Sequence, residues 1–258
     1  MKNELDQYQG IEKLLRLMQA LRDKEHGCPW DIEQTWETIA PYTIEEAYEV
    51  QDAIENGTDD DVCEELGDLL LQIVFQAQIA AESGLFTFEE IAQKVADKMI
   101  TRHPHVFEDV QVKNADDVVN VWDAQKEKEK ASSRSIMDQV TLGLPALMRA
   151  QKIQKKAIKA GFKWANADGA FAKLSEEIEE LRQADTHQER EDEYGDVLYT
   201  AALLGRYLGL DAEECLRKAN AKFIRRFQVM ERGAGSDNLH NMNEDQLLTL
   251  WNEAKKSA

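Results

Sequence analysis

Cys63-Glu64-Glu65-Leu66-Gly67-Asp68-Leu69-Leu70-Leu71-Gln72-Ile73-Val74-Phe75-Gln76-Ala77-Gln78-Ile79-Ala80-Ala81 is the stretch that decides the fold. It holds no proline, and its apolar residues recur at helical spacing. Leu66, Leu69, Leu70, Ile73, Val74 and Ala77 form a broad apolar face, which Leu71 and Phe75 extend. Only Glu65, Asp68, Gln72 and Gln76 make a narrow polar stripe. A helix this apolar is expected to be buried in a bundle. Its two carboxylates then need an explanation.

The same pattern returns further along the chain. Glu193-Tyr194-Gly195-Asp196 repeats Glu65-Leu66-Gly67-Asp68, with Thr200 continuing the stripe among Val197, Leu198, Ala201 and Leu204. Upstream, Glu45-Glu46-Ala47-Tyr48-Glu49 is matched by Glu176-Glu177-Ile178-Glu179-Glu180. Trp30 precedes the first acidic block and Trp164 the second. Downstream, Lys98-Met99-Ile100-Thr101-Arg102 pairs with Lys222-Phe223-Ile224-Arg225-Arg226, and Val121-Trp122-Asp123 with Leu250-Trp251-Asn252. A weaker echo joins Leu14 to Arg22 with Leu147 to Lys155. These landmarks, in one order, indicate an internal duplication. Gly67 and Gly195 each cost roughly 1 kcal/mol inside a helix, so their position before the Asp predicts close approach by a neighbouring helix.

Carboxylates three residues apart lie on one helix face, because three to four residues make about one turn. Two such helices side by side gather four acids, which repel one another unless a cation sits among them. Each copy therefore predicts a divalent-metal site.

The charged segment Glu127 to Gln139 reads as a join, since it is serine-rich and poor in apolar residues. This predicts a domain at 1–125, a linker at 126–139 and a second domain at 140–258. Few prolines and glycines, with abundant Ala, Leu, Glu, Lys and Gln, favour an all-α chain of two tandem helical bundles. Thr43-x-x-Glu46, Thr87-x-x-Glu90 and Asp211-x-x-Glu214 read as capped helix starts.

A net charge of −19 argues against binding of a nucleic-acid polymer or an anionic membrane, both of which need a basic face. It leaves room for a polyphosphate ligand bridged to carboxylates by a metal. Cys28, Cys63 and Cys215 lack zinc spacing and read as reduced thiols of a cytoplasmic protein. No leader opens the sequence, and no apolar run is long enough to span a bilayer. There is no Gly-x-x-x-x-Gly-Lys phosphate loop, and no Glu-x-x-His pair for a di-iron centre.

Glu-Glu-x-x-Glu, then Glu-x-x-Asp, then a Lys/Arg segment resembles the MazG-type nucleoside triphosphate pyrophosphohydrolases. The resemblance includes the tandem arrangement, Cys28-Pro29-Trp30-Asp31, His103-Pro104-His105 and Gly161-Phe162-Lys163-Trp164. It implies an all-α, Mg²⁺-dependent homodimer that converts an NTP and water to an NMP and diphosphate; broad base specificity is expected from base stacking on Trp251, which would tolerate several nucleobases. On that reading Glu177, Glu180, Glu193 and Asp196 form the catalytic metal cage, and Glu46, Glu49, Glu65 and Asp68 its first-copy counterpart. Lys222 and Arg226, four apart on one face, suit the leaving diphosphate. Lys98 and Arg102 hold the matching places. Lys173 and Glu176 lie beside the acids where substrate binds, and Trp251 offers a stacking face for a base. The second copy is expected to be the main catalytic one, because Pro104 closely follows Arg102 in the first. The alternative is a helical scaffold that binds metal or a partner without turnover.

Overall fold

The computed structural model describes residues 2–108, 110–114, 117–118, 121–122, 125, 135–235 and 239–257. Among the described residues every regular element is helical, as the composition predicts. The chain divides into two compact units, Met1–Ala131 and Ser132–Ala258. Most of the expected linker, residues 126–134, lies outside the described residues. Its last residues, Ile136–Gln139, form a 3-10 turn, and Lys156 donates to the Gln139 side chain at 2.6 Å.

The main helices of the first unit are α1 (Gly10–Leu21), α2 (Trp36–Asn56), α3 (Asp59–Glu82) and α4 (Phe88–Arg102). Those of the second are α5 (Ala146–Lys159), α6 (Ala167–Gln183), α7 (His187–Tyr207), α8 (Ala212–Ala234) and α9 (Glu244–Ser257). In each unit two long helices meet across a short link to form a hairpin: α2 with α3, and α6 with α7. One earlier helix, α1 or α5, packs against the second arm. The two units thus repeat the same local design, as the duplicated landmarks require.

Side-chain caps define the starts. Reciprocal capping boxes at Thr58/Asp61, Thr87/Glu90 and Thr186/Glu189 open α3, α4 and α7. Asp211 accepts from the Glu214 backbone N–H at the start of α8. Thr43 is a correction. The helix opens earlier, at a Thr35/Thr38 box, and runs on through Pro41. Thr43 therefore sits inside α2, where its hydroxyl accepts from Gln76 Nε2 at 2.7 Å. The intact helix outweighs the single ladder bond that Pro41 removes.

Met18, Ile39, Val74 and Phe75 form the centre of the first unit, with Leu14, Leu15, Leu21, Leu71, Ile79 and Phe88 around them. Buried Arg22 ties the end of α1 to α3. It donates to both Glu82 oxygens at 2.8 and 2.9 Å, and also to the Asp31 and Gln34 carbonyls. In the second unit, Gln151 and Gln154 reach from α5 to the Ala202 and Tyr199 carbonyls of α7 at 3.0 and 2.7 Å.

Within the single chain α3 buries Val74, Phe75 and Ala77 as its pattern predicts, but only part of its apolar face is covered. Leu66, Leu70 and Ile73 are exposed within the unit, whereas Gln72 is buried. The polar stripe faces α2, and part of the apolar face looks outward. A Cβ added at Gly67 or Gly195 would meet nothing within 4 Å, so no neighbouring helix among the described residues presses on either glycine. A helical glycine that is under close approach is Gly169, in the first turn of α6, which lies against the Trp164 ring.

Candidate active site

The hairpins place the acids. Glu46 and Glu49 lie one turn apart on α2, and Glu65 faces them from α3; one carboxylate oxygen of each lies within 4.8 Å of the other two. Glu177 and Glu180 on α6 and Glu193 on α7 make the same trio in the second unit. Asp68 and Asp196 are exposed and stand outside these trios. Asp68 still acts on the first trio, because its charge raises the pKa of both Glu46 and Glu65.

Crowding leaves an electrostatic signature. Burial, then repulsion from Asp68 and Glu49, raises the Glu46 carboxyl above its ordinary range, against a hydrogen bond from Gln72 that lowers it. Glu65 is raised by burial and by Glu49 and Asp68. Glu180 is raised first by its hydrogen bond with Glu177 and then by burial, while Lys173 opposes the shift. Such like-charged groups favour a cation among them. Three clustered carboxylates are hard oxygen donors, the kind that suit Mg²⁺. The donor set therefore fits a divalent cation of that type.

The trios differ in their local counter-charge. Gln72, a neutral amide, donates to Glu46 at 3.2 Å in the first unit. In the second, Lys173 Nζ lies 2.7 Å from Glu176, 3.0 Å from Glu177 and 4.0 Å from Glu180. Those carboxylates hold the Lys173 ammonium well above its ordinary pKa. Glu177 is buried beneath it, at 5% exposure. An open cleft of about 350 Å³ adjoins the first trio and includes Glu49, Asp52, Asp61 and Glu65 in its lining.

The cationic segments follow the duplication too. Lys222 is exposed on α8, one turn before Arg226, whose guanidinium lies 5.9 Å from the centre of the Trp251 ring. Arg102 lies 5.4 Å from the Trp122 ring in the first unit. There α4 ends at Arg102, and His103 leaves helical geometry ahead of Pro104, whereas α8 runs unbroken to Ala234. Trp251 also touches Phe223 and Lys255, at 5.4 and 5.8 Å. No ion pair joins Lys222 or Arg226 to the second trio among the described residues. Gln72 is the contributor that sequence reasoning left out of the site. Its place on the polar stripe with Glu65 and Asp68 was the available signal.

Comparison with known proteins agrees with this duplicated geometry. The MazG nucleotide pyrophosphohydrolase domain matches residues 34–107, which hold the first trio. The phosphoribosyl-ATP pyrophosphohydrolase family matches residues 144–223, which hold the second. A nucleoside triphosphate pyrophosphohydrolase of Escherichia coli (strain K12) is 46% identical over 255 residues, covering 95% of this chain and 97% of that one. The nucleoside triphosphate pyrophosphohydrolase/pyrophosphatase MazG of Thermotoga maritima is 42% identical over 250 residues, covering 95% of each. A nucleoside triphosphate pyrophosphohydrolase of Mycobacterium tuberculosis is 42% identical over 145 residues, 55% of this chain and 44% of its own. With two relatives 42–46% identical over 95% of the chain, and a carboxylate trio in each unit, the chain belongs to the MazG family of nucleoside triphosphate pyrophosphohydrolases.

Proposed function

We propose that this protein is a Mg²⁺-dependent enzyme that hydrolyses nucleoside triphosphates to the monophosphate and diphosphate, accepts several bases, and works mainly at its second unit. The observation that carries the reading is the carboxylate trio formed across each helical hairpin, in a chain whose full-length relatives bear that activity in their names.

In the second unit Glu177, Glu180 and Glu193 would hold the cation, with Asp196 supplementing them from the next turn. When bound, the cation supplies Lewis acidity and offsets phosphate charge. The chain does the rest. Lys173 and Glu176 border the trio on the substrate side. Lys222 and Arg226 present positive charge from an unbroken helix to the departing diphosphate. Trp251 holds the Arg226 guanidinium and offers an aromatic surface to the base, which tolerates more than one base. Glu46, Glu49, Glu65 and Asp68 form a weaker or structural counterpart, because Lys98 and Arg102 stand on a helix that stops at once.

No helix among the described residues is long and apolar enough to cross a membrane. We place the protein in the cytoplasm as a homodimer with no affinity for nucleic-acid polymers. Exposed Leu66, Leu70 and Ile73 on α3, with Tyr194 and Leu198 on α7, support the dimer as apolar surface that a partner copy would cover.

Hydrolysis in H₂¹⁸O tests the reaction. Attack at the α-phosphorus puts label into the nucleoside monophosphate, with unlabelled diphosphate. Nucleoside diphosphate with labelled orthophosphate would show attack at the γ-phosphorus and refute the assignment. Metal binding with no turnover of any of the eight common NTPs and dNTPs would favour a non-catalytic scaffold instead.

A further inference from the structure

The two trios are built alike but neutralised differently, and the difference traces to one aligned position. Lys173, four residues before Glu177, corresponds to Tyr42, four residues before Glu46. Lys173 Nζ bridges Glu176 and Glu177 at 2.7 and 3.0 Å and lies 4.0 Å from Glu180. Tyr42 brings no charge, and its ring turns edge-on to Trp30 at 6.4 Å between centres. Among the described residues, the side chain that contacts the first trio from outside it is the neutral Gln72 amide, which donates to Glu46 at 3.2 Å.

We propose that Lys173 is the resident counter-ion of the second trio and makes cation uptake there conditional on nucleotide, whereas the first trio takes its cation directly. This rests on the reading of both trios as divalent-cation sites. An ammonium in contact with Glu177 offsets the charge that would attract a cation, so a free cation gains little at Glu177 and Glu180 while the lysine stays. An incoming polyphosphate offers the ammonium a better anion and frees those carboxylates at the moment the nucleotide arrives with its own cation. The first trio carries no such gate.

Mn²⁺ binding, counted by electron paramagnetic resonance and calorimetry on the full chain, tests this. Glu46→Gln combined with Glu49→Gln silences the first trio and isolates the second. In that background Lys173→Met and Lys173→Gln are each expected to tighten nucleotide-free Mn²⁺ binding about tenfold, the effect of removing one nearby, partly exposed charge. Lys173→Arg should leave it unchanged. With the first trio intact, the wild-type chain should bind its first Mn²⁺ there. A change of less than twofold in both neutral variants, while Mn²⁺ with α,β-methylene-ATP still binds the second unit, overturns the gating role and leaves the proposed function standing. If Mn²⁺ with that analogue fails to bind the wild-type second unit, the metal-site reading itself falls.

Discussion

The Arg226 guanidinium lies over the Trp251 ring at 5.9 Å, and the first unit repeats the pair as Arg102 over Trp122 at 5.4 Å. The duplication has therefore preserved a cation held by an aromatic face, beyond a pattern of letters. A contact of this kind contributes about 0.5–2 kcal/mol. Trp251→Ala should release Arg226 and raise KM for the nucleoside triphosphate by about twofold to thirtyfold, the same energy written as affinity. Trp251→Phe should recover most of the loss. Steady-state kinetics decide it, and an unchanged KM in the Ala variant would remove Trp251 and its hold on Arg226 from the substrate site.

Glu180→Gln and Glu49→Gln report which unit works. The former should lower turnover on the order of a hundredfold, the scale of losing a group that positions a metal. The latter should leave most activity in place. Reversed outcomes would transfer catalysis to the first unit, and equal partial losses would show two working sites.

The carboxylates predict opposing pH effects on metal-free stability. Glu46, Glu65 and Glu180 have raised pKa values in the fold. Their contribution is thus fully present below the unfolded value and is lost as pH rises through the raised one. Glu82 behaves oppositely: burial would raise it, but hydrogen bonds from Arg22 and Gln78 bring it below its ordinary value. Its contribution is present at neutral pH and is lost as pH falls through its lowered value. In a chelating buffer Glu46→Gln should therefore raise the melting temperature at pH 8 and do little at pH 4. Arg22→Ala should lower it more at pH 8 than at pH 3. Saturating Mg²⁺ should stabilise the wild type, by about 2.7 kcal/mol at a hundred times Kd, and erase the advantage of Glu46→Gln. Calorimetric scans across pH measure all three.

Gly169→Ala runs against the usual helix rule. Alanine ordinarily stabilises a helix interior over glycine by about 1 kcal/mol. At this position its Cβ would strike the Trp164 ring. That ring cannot simply move off, because the Trp164 backbone N–H donates to the Tyr207 hydroxyl at 2.9 Å and its carbonyl accepts from the same group at 3.2 Å. A loss of about 1–3 kcal/mol is expected from overpacking, read by urea denaturation. Gly195→Ala has open space and should instead stabilise or be neutral, provided that the dimer does not cover it.

Sedimentation tests the dimer. A homodimer at micromolar concentration is expected, and Leu66→Glu with Tyr194→Glu should shift it towards monomer without loss of helix. A compact wild-type monomer in the same range would refute the assembly.

Local chemistry alone determined much of this protein. The helical period of residues 63–81, the Thr-x-x-acid and Asp-x-x-acid starts at Thr87 and Asp211, and the repeated Glu-Glu-x-x-Glu and Glu-x-x-Asp blocks each depend on residues within a turn or two of one another. That is why the all-α tandem architecture and the acidic residues of the site are legible in the sequence itself. Tertiary packing decided the rest. Which face of α3 turns inward depends on α2: Gln72 and Gln76 find Glu46 and Thr43 there, so that end of the polar stripe is covered while Leu66 and Leu70 stay outside. Thr43 looks like a cap until Thr35 starts the helix earlier. The glycine before each Asp looks like a helix crossing, yet among the described residues the space around it is open. Hydrogen bonds and charge pairs between helices act through space, between residues tens of positions apart. A linear pattern supplies the partners, and only the packed hairpin selects among them.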